Sequence, residues 1–239
     1  AACAPDGTTL EDVTRLIESD ETIWTVKREA GRPFVPLNRG FSAPIRLDHQ
    51  IEDAQRLDLA RLDNDPFNQW DALQALVKKD ILALACGDAS APDTNIIAAI
   101  ADAVRANMSD PAFAALLTRL PDVGELFLEH TPANPAALAA ARKSVQQALA
   151  AALSDDATAY LAKPSPAPFR PDAEQSGARA LRSAFITLLA ALGETSDASL
   201  KTLFDAAENM TESLSTLRAL CTANGPSKAD AISASDAKL

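Results

Sequence analysis

The sequence predicts a mainly α protein, an irregular α-solenoid of stacked helical hairpins preceded by a short β segment. Three observations carry this reading. From residue 50 onward, apolar residues recur at helical spacing in segment after segment. Several of those segments open on a capping side chain followed by proline, at Asp65-Pro66, Asp110-Pro111 and Asn134-Pro135. Before residue 48 the apolar runs are short and broken by prolines, as at strand ends.

The first 47 residues read as the tail of a β-domain, because two or three strands need other strands to pair with. In "ETIWTVKRE", Ile23, Trp24 and Val26 stand among polar residues, a strand pattern. "PFVPL" and "FSAPIRL" are short extended runs. In "LEDVTRLIE", Thr8 and Glu11 suit a capping box for a short helix, and the same apolar spacing permits a strand. Both readings stay open.

After Asp48 the chain reads as helix. The segment from Pro66 carries Phe67, Trp70, Leu73, Val77, Ile81 and Leu84 on one face and stops at Gly87. Helices follow at 94–107, 111–119, 122–130, 135–153 and 155–162. "KPSPAPFRP" then breaks the chain, since four prolines in nine residues exclude helix. A long helix over 172–192 ends at Gly193, and two more cover 197–207 and 211–223. The second of these is capped by Thr211 and stops near Gly225. "SKADAISASDAKL" begins another helix with little bulk to bury, so the solenoid reads as unfinished.

Composition agrees and excludes some partners. The 239 residues are 47% hydrophobic but only 5% aromatic, which suits closely packed Ala/Leu helices rather than a β-sandwich. A net charge of −11 repels phosphate backbones, so no nucleic-acid partner is expected. Lys78-Lys79 is an isolated pair of cations on a helix. No apolar run approaches the roughly 18 residues that span a bilayer, so no membrane partner is expected. "AACAPDGTTLEDV" lacks the basic start and apolar core of a signal peptide. Cys3, Cys86 and Cys221 are widely scattered, which fits buried or idle thiols in a reducing, cytoplasmic setting.

The search for chemistry finds little. A zinc peptidase needs two histidines one turn apart and a carboxylate, whereas His49 and His130 are far apart in sequence. His49 beside Glu52 and Asp53 makes at most half a site, and His130 after Glu129 suits a helix end. "GFSAP" places Gly40 two before Ser42, but the second glycine of a nucleophile elbow is absent. Asn209-Met210-Thr211 is formally a glycosylation acceptor and reads instead as a helix cap, with Met210 packed in the core. Phe67 and Trp70 suit a peptide anchor, but beside Leu73 and Val77 they read as core.

One set of motifs is specific. "FVPLNRGFSAPIRL" followed by "DNDPFNQWDALQ" resembles the junction in bacterial aminopeptidase N, the zinc alanyl aminopeptidases of the gluzincin class. "DPAFAALLTRLPDVGELFLEHTPANP", "RALRSAFITLLAALGE" and "LFDAAENMTESLSTLRAL" resemble later stretches of that family in the same order. The resemblance places residues 1–47 in the last strands of an Ig-like β-sandwich and 48–239 in the first part of the C-terminal helical domain. It marks Phe41, Ser42, Pro44, Asp65, Phe67, Trp70 and Asp71 as structural motif positions, with Pro121, Asn209, Met210 and Thr211. Gln69 stands where the family carries arginine, and Ser235 and Leu239 where it carries bulky aromatics.

The family's zinc ligands and substrate-amine motif lie in an upstream catalytic domain, so no catalytic, cofactor-binding or metal residue is carried over. The resemblance implies an enzyme that removes N-terminal residues, alanine and others, from peptides. Zinc-bound water attacks the scissile carbonyl there, with a glutamate as general base. This chain is expected to wall and gate the chamber, to be inactive alone, and to have the upstream domain as its partner. An acidic helical adaptor that binds a basic partner is the alternative. A hydrolase using His49 or His130 is a third reading.

Overall fold

The computed structural model describes residues 1–4, 6–14, 16–25, 34–45, 47–48, 50–129, 131, 134–165 and 168–236. His49 and His130, and the second half of "ETIWTVKRE", lie outside the described residues.

The caps read from the sequence set the helix boundaries. The helices are α1 (Asp53–Leu62), α2 (Pro66–Cys86), α3 (Thr94–Ala106), α4 (Pro111–Leu117), α5 (Val123–Glu129) and α6 (Pro135–Ala152). They continue as α7 (Ser154–Leu161), α8 (Ala173–Ala191), α9 (Asp197–Asp205), α10 (Met210–Ala223) and α11 (Lys228–Asp236). Asp65 accepts from the Asn68 N–H at 3.0 Å, Asp110 from Phe113 at 3.1 Å, and Asn134 from Ala136 and Ala137 at 3.1 and 3.2 Å. Each bond satisfies a first-turn donor that has no partner within its own helix. The expectation of a mainly α chain with a short β segment is borne out.

Two details differ. The cap of α10 is Asn209, whose side chain accepts from the Glu212 N–H at 3.0 Å, while Thr211 sits inside the first turn. The same helix ends on Asn224 in the left-handed conformation, one residue before Gly225. Asparagine tolerates that conformation better than most residues, so it does the work expected of glycine.

The described residues form two compact units, Ala1–Leu76 and Val77–Leu239, with α2 running through the division. In the first, β1 (Ala2–Cys3) pairs antiparallel with β2 (Thr9–Glu11). Cys3 also exchanges both backbone hydrogen bonds with Phe34, at 2.9 and 3.1 Å. Glu11 therefore faces Ala2 in a ladder, and the strand reading of "LEDVTRLIE" holds at its start. The strand expected over "ETIWTVKRE" is not formed at 21–25. Ile23 is 79% exposed there. Alternation alone cannot make a strand without a neighbouring ladder.

In the second unit α8 is the hub, packing against α4, α6, α7 and α10. Its Leu181, Phe185, Ile186 and Leu189 are buried, as are Leu117, Leu149, Leu161 and Leu220 around it. Each such side chain contributes about 1.5–3 kcal/mol. The packing of α4 on α8, past three intervening helices, is what makes the stack irregular. Gly177 permits it: a Cβ there would lie 3.3 Å from both the Cβ and the backbone nitrogen of Ala112.

Near the start of this unit, Lys78 donates to Glu125 and Glu129 of α5 at 2.8 and 2.9 Å. Burial pulls the Lys78 pKa down, but the two carboxylates outweigh it and hold the group above its ordinary value. Two turns before the end of α2, buried Asp80 accepts from the Asp93 N–H at 3.2 Å. Burial, reinforced by the Asp93 charge, raises the Asp80 pKa despite that hydrogen bond.

Two outcomes follow from this packing. Gly177→Val pushes α4 away from α8 and is expected to cost about 1–3 kcal/mol in urea denaturation. For Asp80, a folded-state pKa above the unfolded one means its charge destabilises the fold as pH rises above the ordinary carboxylate value. Asp80→Asn is thus expected to gain stability relative to the parent between acidic and neutral pH. Melting curves across that range check it.

Candidate functional site

The first two motifs clasp each other within the first unit. A 3₁₀ turn, Arg39–Phe41, follows Asn38, and Asn38, Gly40 and Phe41 have φ of 50°, 63° and 50°. Left-handed backbone at a bulky aromatic costs on the order of 1 kcal/mol, so neighbouring contacts must hold it. Asn38 brackets the turn, accepting from the Ala43 N–H at 2.9 Å and donating to the Ala43 carbonyl at 3.0 Å. The Gly40 N–H donates to Asp65 at 2.6 Å, so one carboxylate serves both the turn and the start of α2.

Beside it, Arg39 bonds to Asn64 and pairs with the buried Asp63 carboxylate at 3.3 Å. Asp63 also accepts from the Asp65 N–H and from Asn68, both at 3.1 Å. The Phe41 ring lies 5.1 Å from Phe67, which lies 6.4 Å from Trp70. Phe67 is 37% exposed and Trp70 half-buried, so these aromatics form a rim on the clasp instead of the core position expected. The Ser42 hydroxyl is 3.3 Å from the Asn38 side chain, an arrangement that bonds the turn and activates nothing. Pro44 and Asp71 are exposed.

The remaining motifs meet in the second unit. Pro121 is buried, and its carbonyl accepts from Arg142 of α6 at 2.7 Å. Met210 is 71% exposed, which corrects its reading as core. It is the first residue of α10, off the face that buries Glu212, Thr216, Ala219 and Leu220. Thr211 is exposed beside it.

The "RALR" and "NMTE" motifs join through Arg182 of α8 and Glu212 of α10, which pair at 3.2 Å. Both side chains are more than nine-tenths buried. Arg182 also donates to the Lys163 carbonyl at 2.8 Å, and the Ser165 hydroxyl donates to Glu212. The proline-rich strap is thereby tied to two helices. Gln175 and Arg179 hold its other end, through the Pro168 carbonyl at 2.9 Å and the Arg170 carbonyl at 3.2 Å. The Arg179 guanidinium stands 4.5 Å over the Phe169 ring.

This pair lines a cleft of about 810 Å³, the size of ordinary ligand sites. Its apolar wall is Leu161, Leu189, Leu192 and Leu203, and its hydroxyls include Thr158, Thr195, Ser199 and Thr202. Lys163 and Glu208 add one charge of each sign. On α7, burial raises the Tyr160 pKa, and the Arg182 charge opposes that only in part. The sequence reading missed Arg182 and Glu212. A signal was present: Arg182 shares the face of Phe185, Ile186 and Leu189, where a charge needs a partner.

A family model described as a domain of unknown function (DUF3458_C), ARM repeats, matches residues 53–239. The chain belongs to this family. As an ARM-repeat domain it is also similar to aminopeptidase N of Caulobacter vibrioides, 37% identical over 217 residues, covering 87% of this chain and 25% of that protein. Aminopeptidase N of Escherichia coli is 32% identical over 192 residues, covering 78% of this chain and 22% of that protein. The resemblance read from the motifs is borne out, and the chain spans about a quarter of the length of these curated relatives. A crystal structure of Legionella pneumophila aminopeptidase A in complex with aspartic acid shares the fold of the ARM-repeat chain, with a TM-score of 0.75. It is 23% identical, and the match covers 92% of this chain and 27% of that one.

Two variants test the contacts. Asp65→Ala leaves the Gly40 and Asn68 N–H groups without their carboxylate acceptor and is expected to cost about 1–2 kcal/mol by chemical denaturation. Glu212→Ala strands a buried cation and is expected to cost about 3–5 kcal/mol, whereas Arg182→Met with Glu212→Met recovers most of that loss.

Proposed function

We propose that the chain is a non-catalytic portion of a zinc-dependent aminopeptidase N, with residues 1–47 as the closing strands of a β-sandwich and 48–239 as the first part of the helical domain. Its role is to wall and gate the chamber in which the complete enzyme removes N-terminal residues, alanine and others, from peptides. Its partner is the upstream catalytic domain of the same enzyme, in the cytoplasm. The observation that carries the reading is the similarity to aminopeptidase N over 87% of the chain, coinciding with motifs that meet in structural contacts at Gly40–Asp65 and Arg182–Glu212.

Zinc belongs to the complete enzyme in this reading. Among the described residues, which leave out His49 and His130, no group of three or more His, Cys, Asp or Glu is placed to hold a metal ion. What the chain contributes is steric and electrostatic. A wall of net charge −11 draws cationic peptide N-termini toward it and repels acidic ones. No helix among the described residues is long and apolar enough to cross a membrane.

The purified chain is expected to hold no stoichiometric zinc and to leave alanyl anilides intact. Placed in Caulobacter aminopeptidase N in exchange for the matching segment, it is expected to keep alanyl anilide turnover within about tenfold of the parent. A folded, zinc-loaded exchange enzyme without turnover would contradict the reading.

A further inference from the structure

The cleft floored by Arg182 and Glu212 has features that fold stability alone does not require. A buried ion pair is weak as a source of stability, since desolvation offsets most of its attraction. Here the pair also opens onto a cavity of about 810 Å³. Among the described residues, Arg182 uses Nη1 on the Lys163 carbonyl and turns Nε to Glu212 without a well-aligned hydrogen bond. Glu212 takes Ser165 and Arg182 on the same oxygen, Oε1. Among the described residues neither Arg182 Nη2 nor Glu212 Oε2 has a hydrogen-bond partner, and both side chains line the cleft.

The charge balance defines that ligand. Arg182 and Lys163 oppose Glu208 and Glu212, so the lining is neutral and favours neither an anion nor a cation. A zwitterion meets both signs. Arg182 Nε and Glu212 Oε1 stand 3.2 Å apart, so the two charges are adjacent, and a ligand whose own charges are close together matches them. An α-amino acid carries ammonium and carboxylate on one carbon, whereas the termini of a peptide lie at least a residue apart. Leu161, Leu189, Leu192 and Leu203 supply an aliphatic wall for its side chain. We propose that this cleft binds a free aliphatic α-amino acid, its carboxylate on Arg182 and its ammonium on Glu212. The inference rests on this chain alone and stands apart from the aminopeptidase reading.

The test is calorimetric titration of the 239-residue chain with L-leucine, with amide shifts followed by NMR. Saturable binding is expected, with shifts at Thr158, Ser199 and Glu212. 4-Methylpentanoate, 3-methylbutylamine and leucyl-leucine are each expected to bind at least about tenfold more weakly, having lost one charged contact or the spacing of both. Ser199→Phe and Thr202→Phe, at exposed α9 positions facing the cleft, are expected to abolish binding while melting as the parent does. The Arg182→Met, Glu212→Met protein is expected to lose binding as well. Absence of saturable L-leucine binding would overturn the proposal. So would equal binding of the singly charged analogues, or shifts confined to residues outside the cleft.

Discussion

The ion pair between Arg182 and Glu212 is the contact on which the second unit's arrangement turns. It links residues 30 apart in sequence, on α8 and α10, and fastens the strap through Lys163 and Ser165. Two charges removed from water must be paired and hydrogen-bonded or the helices separate. The pair therefore constrains which faces of α8 and α10 meet, while the leucines around it provide the driving force. Specific geometry comes from the polar contact and adhesion from the apolar one.

The clasp in the first unit follows the same logic on a smaller scale. Asp65 caps α2 and holds the Gly40 turn, and Asp63 gathers Arg39, Asn68 and the Asp65 amide. Each motif that carries the family resemblance thus sits in a contact with another part of its own unit.

How much of this was legible in the sequence depends on the range of each interaction. Helix starts at Asp65-Pro66, Asp110-Pro111 and Asn134-Pro135 were readable because a cap bonds within three residues of itself. The alternation around Ile23 does not make a strand at 21–25, because pairing is decided by a distant neighbour that alternation does not reveal. Met210 and Thr211 lie off the buried face of α10, whose cap is Asn209, and the motif alone does not say which of its residues is the cap. Arg182 and Glu212 stood in quoted motifs, yet their meeting is tertiary. Only a charge on an apolar face hinted at it.

Burial of the Arg182–Glu212 pair is the feature on which the second unit's arrangement depends most directly. Proton exchange at the Arg182 Nε–H, read by ¹⁵N-resolved NMR, measures it without altering the protein. Exchange is expected to be far slower than at Arg119, whose side chain is 73% exposed, and to accelerate toward that rate in Glu212→Gln. Exchange at Arg182 as fast as at Arg119 in the unaltered chain would contradict it.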